Sequence, residues 1–132
     1  MMNILSHIEP TGIFKTPPLS AGVRACNMVF VSGTPGYDKE GHIDSDFGLQ
    51  FDQAVITLEE VLALAGSSMR ALVKVNVLLT RVQDVEEMNR RYALAFGPAP
   101  YPARTTAVVL SLPDPRMLIE IECVAMTLEA TD

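Results

Sequence analysis

Tryptophan is absent from this chain, cysteine and histidine occur twice each, and acidic residues outnumber basic ones sixteen to ten. The net charge of −6, with Arg90-Arg91 the one adjacent basic pair, excludes a nucleic-acid surface, which needs clustered Lys and Arg. Cys26 and Cys123 lie far apart in strand-like runs, a pattern of reduced core residues and not of a disulfide framework or a metal site. His7 and His42 fall in loop-like segments at no metal-ligand spacing. No apolar run approaches the roughly 20 residues of a membrane span. The opening MMNILSHIEP is neither basic enough nor apolar enough for a signal peptide. Gly-rich phosphate loops, nucleophile elbows and Ser/His/Asp sets are missing too. The expectation is a cytoplasmic protein with no metal, no nucleic-acid partner and no membrane partner.

What the chain does have is aliphatic residues. Apolar side chains make up 48% of 132 residues, enough for one domain over 1–132 with a core that needs no staples. Ile13-Phe14-Lys15-Thr16 reads as a short strand ended by Pro17-Pro18, and Val23 to Ser32 as a second. Gly33-Thr34-Pro35-Gly36 then breaks the pairing, and Asp38-Lys39-Glu40-Gly41 reads as a turn. From Asp46 to Ala65 the period becomes helical, with Phe51, Val55, Leu58, Leu62 and Ala65 in one stripe. Asp46 is placed to cap this helix and Gly66 to end it. Val73, Val75, Val77 and Leu79 alternate with Lys74, Asn76, Leu78 and Thr80, as in a strand. Asp84, with Glu87 three residues on, has capping-box spacing for a helix running to Phe96. Its apolar face carries Val85, Met88, Tyr92 and Phe96, and Gly97-Pro98 stops it. Thr105 to Leu112 and Met117 to Leu128 complete the strands.

The order β, β, α, β, α, β, β predicts one sheet with both helices packed on a single face. Ile119, Ile121, Cys123 and Ala125 share one face of the last strand. Leu118, Glu120, Glu122, Val124 and Met126 share the other, and neither face is plainly polar. A sheet apolar on both faces, with helices for one, implies burial against another subunit.

Two segments carry the chemistry. Pro102-Ala103-Arg104-Thr105-Thr106 sets a guanidinium at the mouth of one strand, and Leu118-Ile119-Glu120-Ile121-Glu122 sets two acids in the next. Arginine is shaped to grip a carboxylate in a bidentate fork. A glutamate among β-branched neighbours is suited to a raised pKa and proton transfer. The plainer alternative is an ion pair between Arg104 and Glu120 or Glu122. Asn89 and Tyr92 share a helix face near Met88, and such residues are more often capping or core residues than ligands.

These residues also form a wider pattern. Pro18-Leu19-Ser20, Val23, Asn27-Met28-Val29-Phe30-Val31-Ser32-Gly33, Ala63-Leu64-Ala65-Gly66, Val73-Lys74-Val75 and Met88-Asn89-Arg90-Arg91-Tyr92 stand in order. Pro102-Ala103-Arg104-Thr105, Leu112-Pro113 and Ile119-Glu120-Ile121-Glu122 follow. The chain thereby resembles the Rid family of reactive-intermediate (enamine/imine) deaminases, also known as YjgF or L-PSP. The resemblance implies an α+β subunit of the chorismate-mutase-like (bacillary) type, assembled as a homotrimer with active sites between subunits. It implies cofactor-free hydrolysis of 2-imino and enamine carboxylic acids, such as 2-aminoacrylate and 2-iminopropanoate, to 2-keto acids and ammonia. Arg104 matches the arginine that grips the carboxylate, and Glu120 the glutamate that positions or activates water. Ser32 and Gly33 match a backbone-rich pocket wall, Thr106 a main-chain N–H facing the ligand, and Asn89 a helix residue bordering the cleft.

The departures bear on substrate. Leu19 replaces a tyrosine that often lines the family's pocket, Thr34 a glutamine, Thr106 a cysteine and Val85 a phenylalanine. The loop Leu112-Pro113-Asp114-Pro115-Arg116 is a residue longer than usual. Arg-Thr-Thr with Leu-Pro-x-Pro is similar to relatives that deaminate 2-aminomuconate, which opens a larger or dicarboxylic substrate with Arg116 as a second charge. A ribonuclease role, described for some relatives, is disfavoured by the acidic balance and the lack of a histidine pair. A trimeric module that binds keto acids without turning them over is the remaining alternative. The presence of both Arg104 and Glu120 favours catalysis, since binding needs only the arginine.

Overall fold

Asp46 begins the first helix as its sequence position implies: in the computed structural model its carboxylate accepts the Leu49 N–H at 3.0 Å. The structure describes residues 5–10 and 17–128. Helix α1 spans Phe47–Leu64 and ends before Gly66, whose φ of 79° is the left-handed turn glycine makes without strain. Helix α2 spans Val85–Phe96. Among the described residues six strands form one sheet: β1 Leu5–Ile8, β2 Gly22–Ala25, β3 Met28–Pro35, β4 Leu72–Leu79, β5 Ala103–Val108 and β6 Ile119–Met126. Their order is β1-β2-β3-β6-β4-β5, antiparallel except for the β4–β5 pair. That parallel pair is joined by α2, the crossover such a pair requires.

The α+β expectation of one mixed sheet with two helices on one face holds. Val75, Val77 and Leu79 of β4 meet Ile119, Ile121 and Cys123 of β6 and the inner stripe of α1 in one core. Met88, Tyr92 and Phe96 close it from α2. Arg91 ties the helices together, reaching Asp52 at 2.8 Å, the Gly48 carbonyl at 3.3 Å and Glu87 at 2.8 Å. Gln50, fully buried, donates to the carbonyls of Asp44 and Arg116 at 2.7 and 2.9 Å and accepts from Leu118 N–H at 2.8 Å. This saturated amide fixes the start of α1 to the chain leading into β6.

Several expectations need correction. The run from Val23 to Ser32 is not one strand but a hairpin, in which Ala25 pairs with Met28 across Cys26-Asn27. Cys26 turns the corner at φ 55° and is exposed, so only Cys123 is a core cysteine. His7 lies in β1, outside any loop. The proposed strand at 13–16 lies outside the described residues. Asp84 caps nothing with its side chain: Arg81 holds that carboxylate at 2.7 and 3.0 Å, and Glu87 turns to Arg90 and Arg91. Those two guanidinium groups, Arg90 first, hold the Glu87 carboxyl down at about 2.

Candidate active site

Arg104 sits second in β5, the strand at the edge of the sheet. It pairs in register with Val75, a core residue, so its side chain leaves the sheet on the helix side. There the guanidinium lies 4.6 Å from the centroid of Tyr92, and Nη1 is 3.8 Å from Met88 Sδ. Tyr92 is itself stacked on Phe96 at 4.1 Å, with the planes 10° apart. Met88, Tyr92 and Phe96 are successive i, i+4 positions, so the helical period supplies the whole support. An open groove of about 350 Å³ runs here, lined by Asn89, Tyr92, Ala93, Tyr101, Pro102 and Arg104. Among the described residues Arg104 has no carboxylate partner, whereas Arg81, Arg90, Arg91 and Arg116 each do. The ion pair with Glu120 or Glu122 is not formed.

Thr106 pairs with Val77, putting its side chain on the same side, where its hydroxyl is buried without a hydrogen-bond partner. The Tyr92 hydroxyl is likewise buried and unpartnered, at a cost of about 1–3 kcal/mol to the folded state. Burial raises its pKa, against an opposing pull from Arg104.

Glu120 belongs to the opposite face. It pairs with Leu78 and Pro35, and its neighbours in sequence, Ile119 and Ile121, point into the helix-side core. On β3, Val31 pairs with Cys123 and Thr34 with Ile121, so Ser32 and Gly33 together oppose Glu122 alone. This is a β-bulge. It turns Gly33 toward Glu120, whose carboxylate fills the space of a Cβ at that position. Ser32 donates its hydroxyl to the Ser20 carbonyl at 2.6 Å, fixing the bulge to the Pro18-Leu19-Ser20 segment. Burial, and then the Glu122 charge, raises the Glu120 pKa above its ordinary value. Glu122 is exposed and accepts from Asn76 Nδ2 at 2.8 Å. The same burial, with Glu122 again second, pushes the Cys123 thiol up to about 12.

The six expected site residues therefore fall into two groups. Arg104, Asn89 and Thr106 gather at the β5–α2 edge; Ser32, Gly33 and Glu120 gather around the bulge on the opposite face. A single chain does not bring Arg104 to Glu120, because two strand spacings of roughly 5 Å each and the sheet itself lie between them. Tyr92 and Tyr101 were not expected in the site, although Tyr101 directly precedes Pro102-Ala103-Arg104. Arg116 does not supply a free second charge: Asp114 takes it at 2.7 Å, and Tyr37 lies beneath it at 5.9 Å.

A second concavity, of about 370 Å³, includes Gly36, Asp38, His42, Asp52 and Ile56. Asp38, Glu40 and His42 bring their ligand atoms within 4.8 Å of one another, closer than their sequence spacing suggested. Asp38 Oδ1 is already engaged, accepting the N–H groups of Glu40 and His42 at 2.9 Å each, and the His42 bond leads in holding its pKa below the usual value. Among the described residues no helix is long and apolar enough to cross a membrane.

The sequence model of the family described as Endoribonuclease L-PSP matches residues 13–127. The chain is 33% identical over 127 residues to the mitochondrial protein mmf1 of Schizosaccharomyces pombe, covering 95% of this chain and 78% of that protein. It is 36% identical over 110 residues to the chloroplastic Reactive Intermediate Deaminase A of Arabidopsis thaliana, covering 82% of this chain and 58% of that protein. The fold superimposes on the crystal structure of RidA from the Antarctic bacterium Psychrobacter with a TM-score of 0.85. That match is at 29% identity and covers 92% of this chain and 98% of the other. The subunit has the chorismate-mutase-like α+β arrangement of these neighbours.

Proposed function

The chain belongs to the Rid (L-PSP) family, and on that footing we propose that it hydrolyses 2-imino and enamine carboxylic acids to 2-keto acids and ammonia. The observation that carries the reading is the pair of half-sites. An arginine with its fork unspent stands on one face, and a glutamate with a raised pKa stands on the other. They complete one another only between two copies of the chain.

The sheet face bearing Glu120 supports that assembly. Val23, Met28, Phe30, Leu78, Val124 and Met126 lie on it by register, and Phe30 and Met126 are 47% and 43% exposed. Among the described residues no helix covers them. A homotrimer buries this face and brings the β5 edge of one protomer to the bulge of the next, a head-to-tail contact that closes as a ring.

In the reaction, Arg104 holds the carboxylate through paired N–H groups. A 2-imine is electrophilic at carbon, and an enamine becomes one on protonation at its terminal carbon. The imine nitrogen takes a proton from solvent, and Glu120 accepts a proton from water as the water oxygen bonds to C2, the carbon of the C=N bond. Glu120 then returns its proton to the nitrogen of the carbinolamine, and ammonia leaves as the C–N bond breaks and the hydroxyl proton passes to solvent, giving the ketone. A carboxyl group with a raised pKa suits both acceptance and return of the proton. Positioning supplies the larger part of the acceleration. The chemistry as written uses no cofactor.

The substrate is taken to be a small imine such as 2-iminopropanoate or 2-iminobutanoate. The Arg104-Thr105-Thr106 and Leu112-Pro113 pattern keeps 2-aminomuconate as the second reading. The free thiols of Cys26 and Cys123 fit a reducing compartment, which we take to be the cytoplasm. The test is ammonia release from imines generated in situ by amino-acid oxidases, with 2-aminomuconate in the same panel. Acceleration over the buffer rate, lost in Arg104→Ala, is the expected result. Keto-acid binding without acceleration of any panel member would replace catalysis by a binding role.

A further inference from the structure

Arg104 is held differently from the four arginines that pair with acids. Arg81, Arg90, Arg91 and Arg116 meet carboxylates with their N–H edges, which spends the fork on the protein. Arg104 is held by a flat ring and a thioether. Tyr92 cannot yield easily, because Phe96 is stacked at 4.1 Å, Tyr101 lies at 6.2 Å and the residue is 95% buried. A guanidinium over an aromatic ring is attracted by the ring's face; one Nη1 N–H is directed at Met88 Sδ, a weak acceptor, and the other in-plane donors stay free for a carboxylate. An acid in place of Tyr92 would bind Arg104 more strongly but would occupy the fork.

We propose that Tyr92 is the positioning residue for Arg104, a neutral aromatic platform that sets the guanidinium for the incoming carboxylate without competing for it. The proposal rests on Arg104 being the carboxylate anchor, and it adds that the ring's electron density, not its hydroxyl, does the positioning. The hydroxyl is buried and unpartnered, so it offers nothing to the ligand.

The test measures binding of 2-oxobutanoate by calorimetry and imine turnover in four proteins: wild type, Arg104→Ala, Tyr92→Phe, and Tyr92→Phe with three fluorines on the ring. Fluorination keeps the shape and cancels the negative face, so the core stays packed. Tyr92→Phe removes only the hydroxyl and keeps the ring's negative face, so it is the reference against which the fluorinated ring is read, and it is expected to lose less binding than that ring does. The fluorinated ring is expected to weaken 2-oxobutanoate binding and raise KM by roughly 3- to 30-fold, the range of a cation–π contact, with kcat changed far less. Unaltered binding with the fluorinated ring, while Arg104→Ala loses it, would overturn the platform and leave Arg104 as anchor. Unaltered binding in Arg104→Ala would overturn the carboxylate anchor itself. A loss in Tyr92→Phe as large as with the fluorinated ring would assign the role to the hydroxyl and also overturn the proposal.

Discussion

Glu120 rests its carboxylate against Gly33, in the space any side chain there would need: a Cβ at Gly33 would overlap Oε1 and approach Cδ to 2.8 Å. The obstacle is the free end of a side chain and not backbone, so Gly33→Ala leaves the strands paired and turns the carboxylate out. The expected protein is folded and binds 2-oxobutanoate normally but turns over imines about 10²-fold more slowly. Circular dichroism, calorimetry and the ammonia assay read the three parts; normal turnover would show that Glu120 works equally well elsewhere.

The raised pKa of Glu120 sets a pH dependence. Its base form is lost as pH falls through the raised value, so kcat/KM declines on the acid side at a higher pH than an ordinary glutamate would give. Glu122→Gln removes the lesser cause and moves that limb to lower pH with little change in the plateau. Glu120→Gln lowers turnover by roughly 10²–10⁴-fold while retaining keto-acid binding. Equal losses at both positions would mean the two acids act as one electrostatic unit.

The same shift has a stability consequence. The folded state holds the Glu120 proton more tightly than the unfolded chain does. Its contribution to stability is therefore full below the unfolded pKa and is lost as pH rises through the folded one. Glu120→Gln is accordingly expected to melt higher than wild type near neutral pH and to lose this advantage in acid. A lower melting temperature near neutrality would contradict the desolvation account.

Arg104→Ala is expected to cut kcat/KM by at least about 10²-fold, since the substrate loses a charge-assisted pair of hydrogen bonds. Thermal unfolding should barely change, because the guanidinium forms no ion pair among the described residues. Arg104→Lys keeps the charge but not the fork and should recover little. Full activity in the lysine variant would show that charge alone suffices.

The half-sites predict complementation. Arg104→Ala and Glu120→Gln trimers are each inactive, but mixing after partial denaturation and reassembly creates interfaces with one intact arginine and one intact glutamate. Each mixed trimer has one restored site in three, which is about a quarter of all sites in an equal random mixture. Activity near that fraction is the expected result, together with a trimer mass by sedimentation. A mixture as inactive as its parents would overturn the shared site.

The first helix, the strand alternation of β6 and the Arg104 and Glu120 segments were legible in the sequence because each depends on neighbours within a turn or a pleat. Asp46 caps its helix, Gly66 takes the positive φ, and Ile119, Ile121 and Cys123 face the core. The same local logic failed at Asp84, where Arg81 outcompetes the helix N–H groups for the carboxylate. It failed again at Cys26-Asn27, where apolar runs on both sides hid a two-residue turn. The bulge at Ser32-Gly33 was also hidden, because it is a mismatch between two strands about ninety residues apart and neither strand records it alone. The placement of Arg104 and Glu120 on opposite faces was likewise a tertiary decision. Side-chain parity along a strand is local, but which residues of β4 oppose β5 and β6 is fixed by packing the whole sheet against its helices.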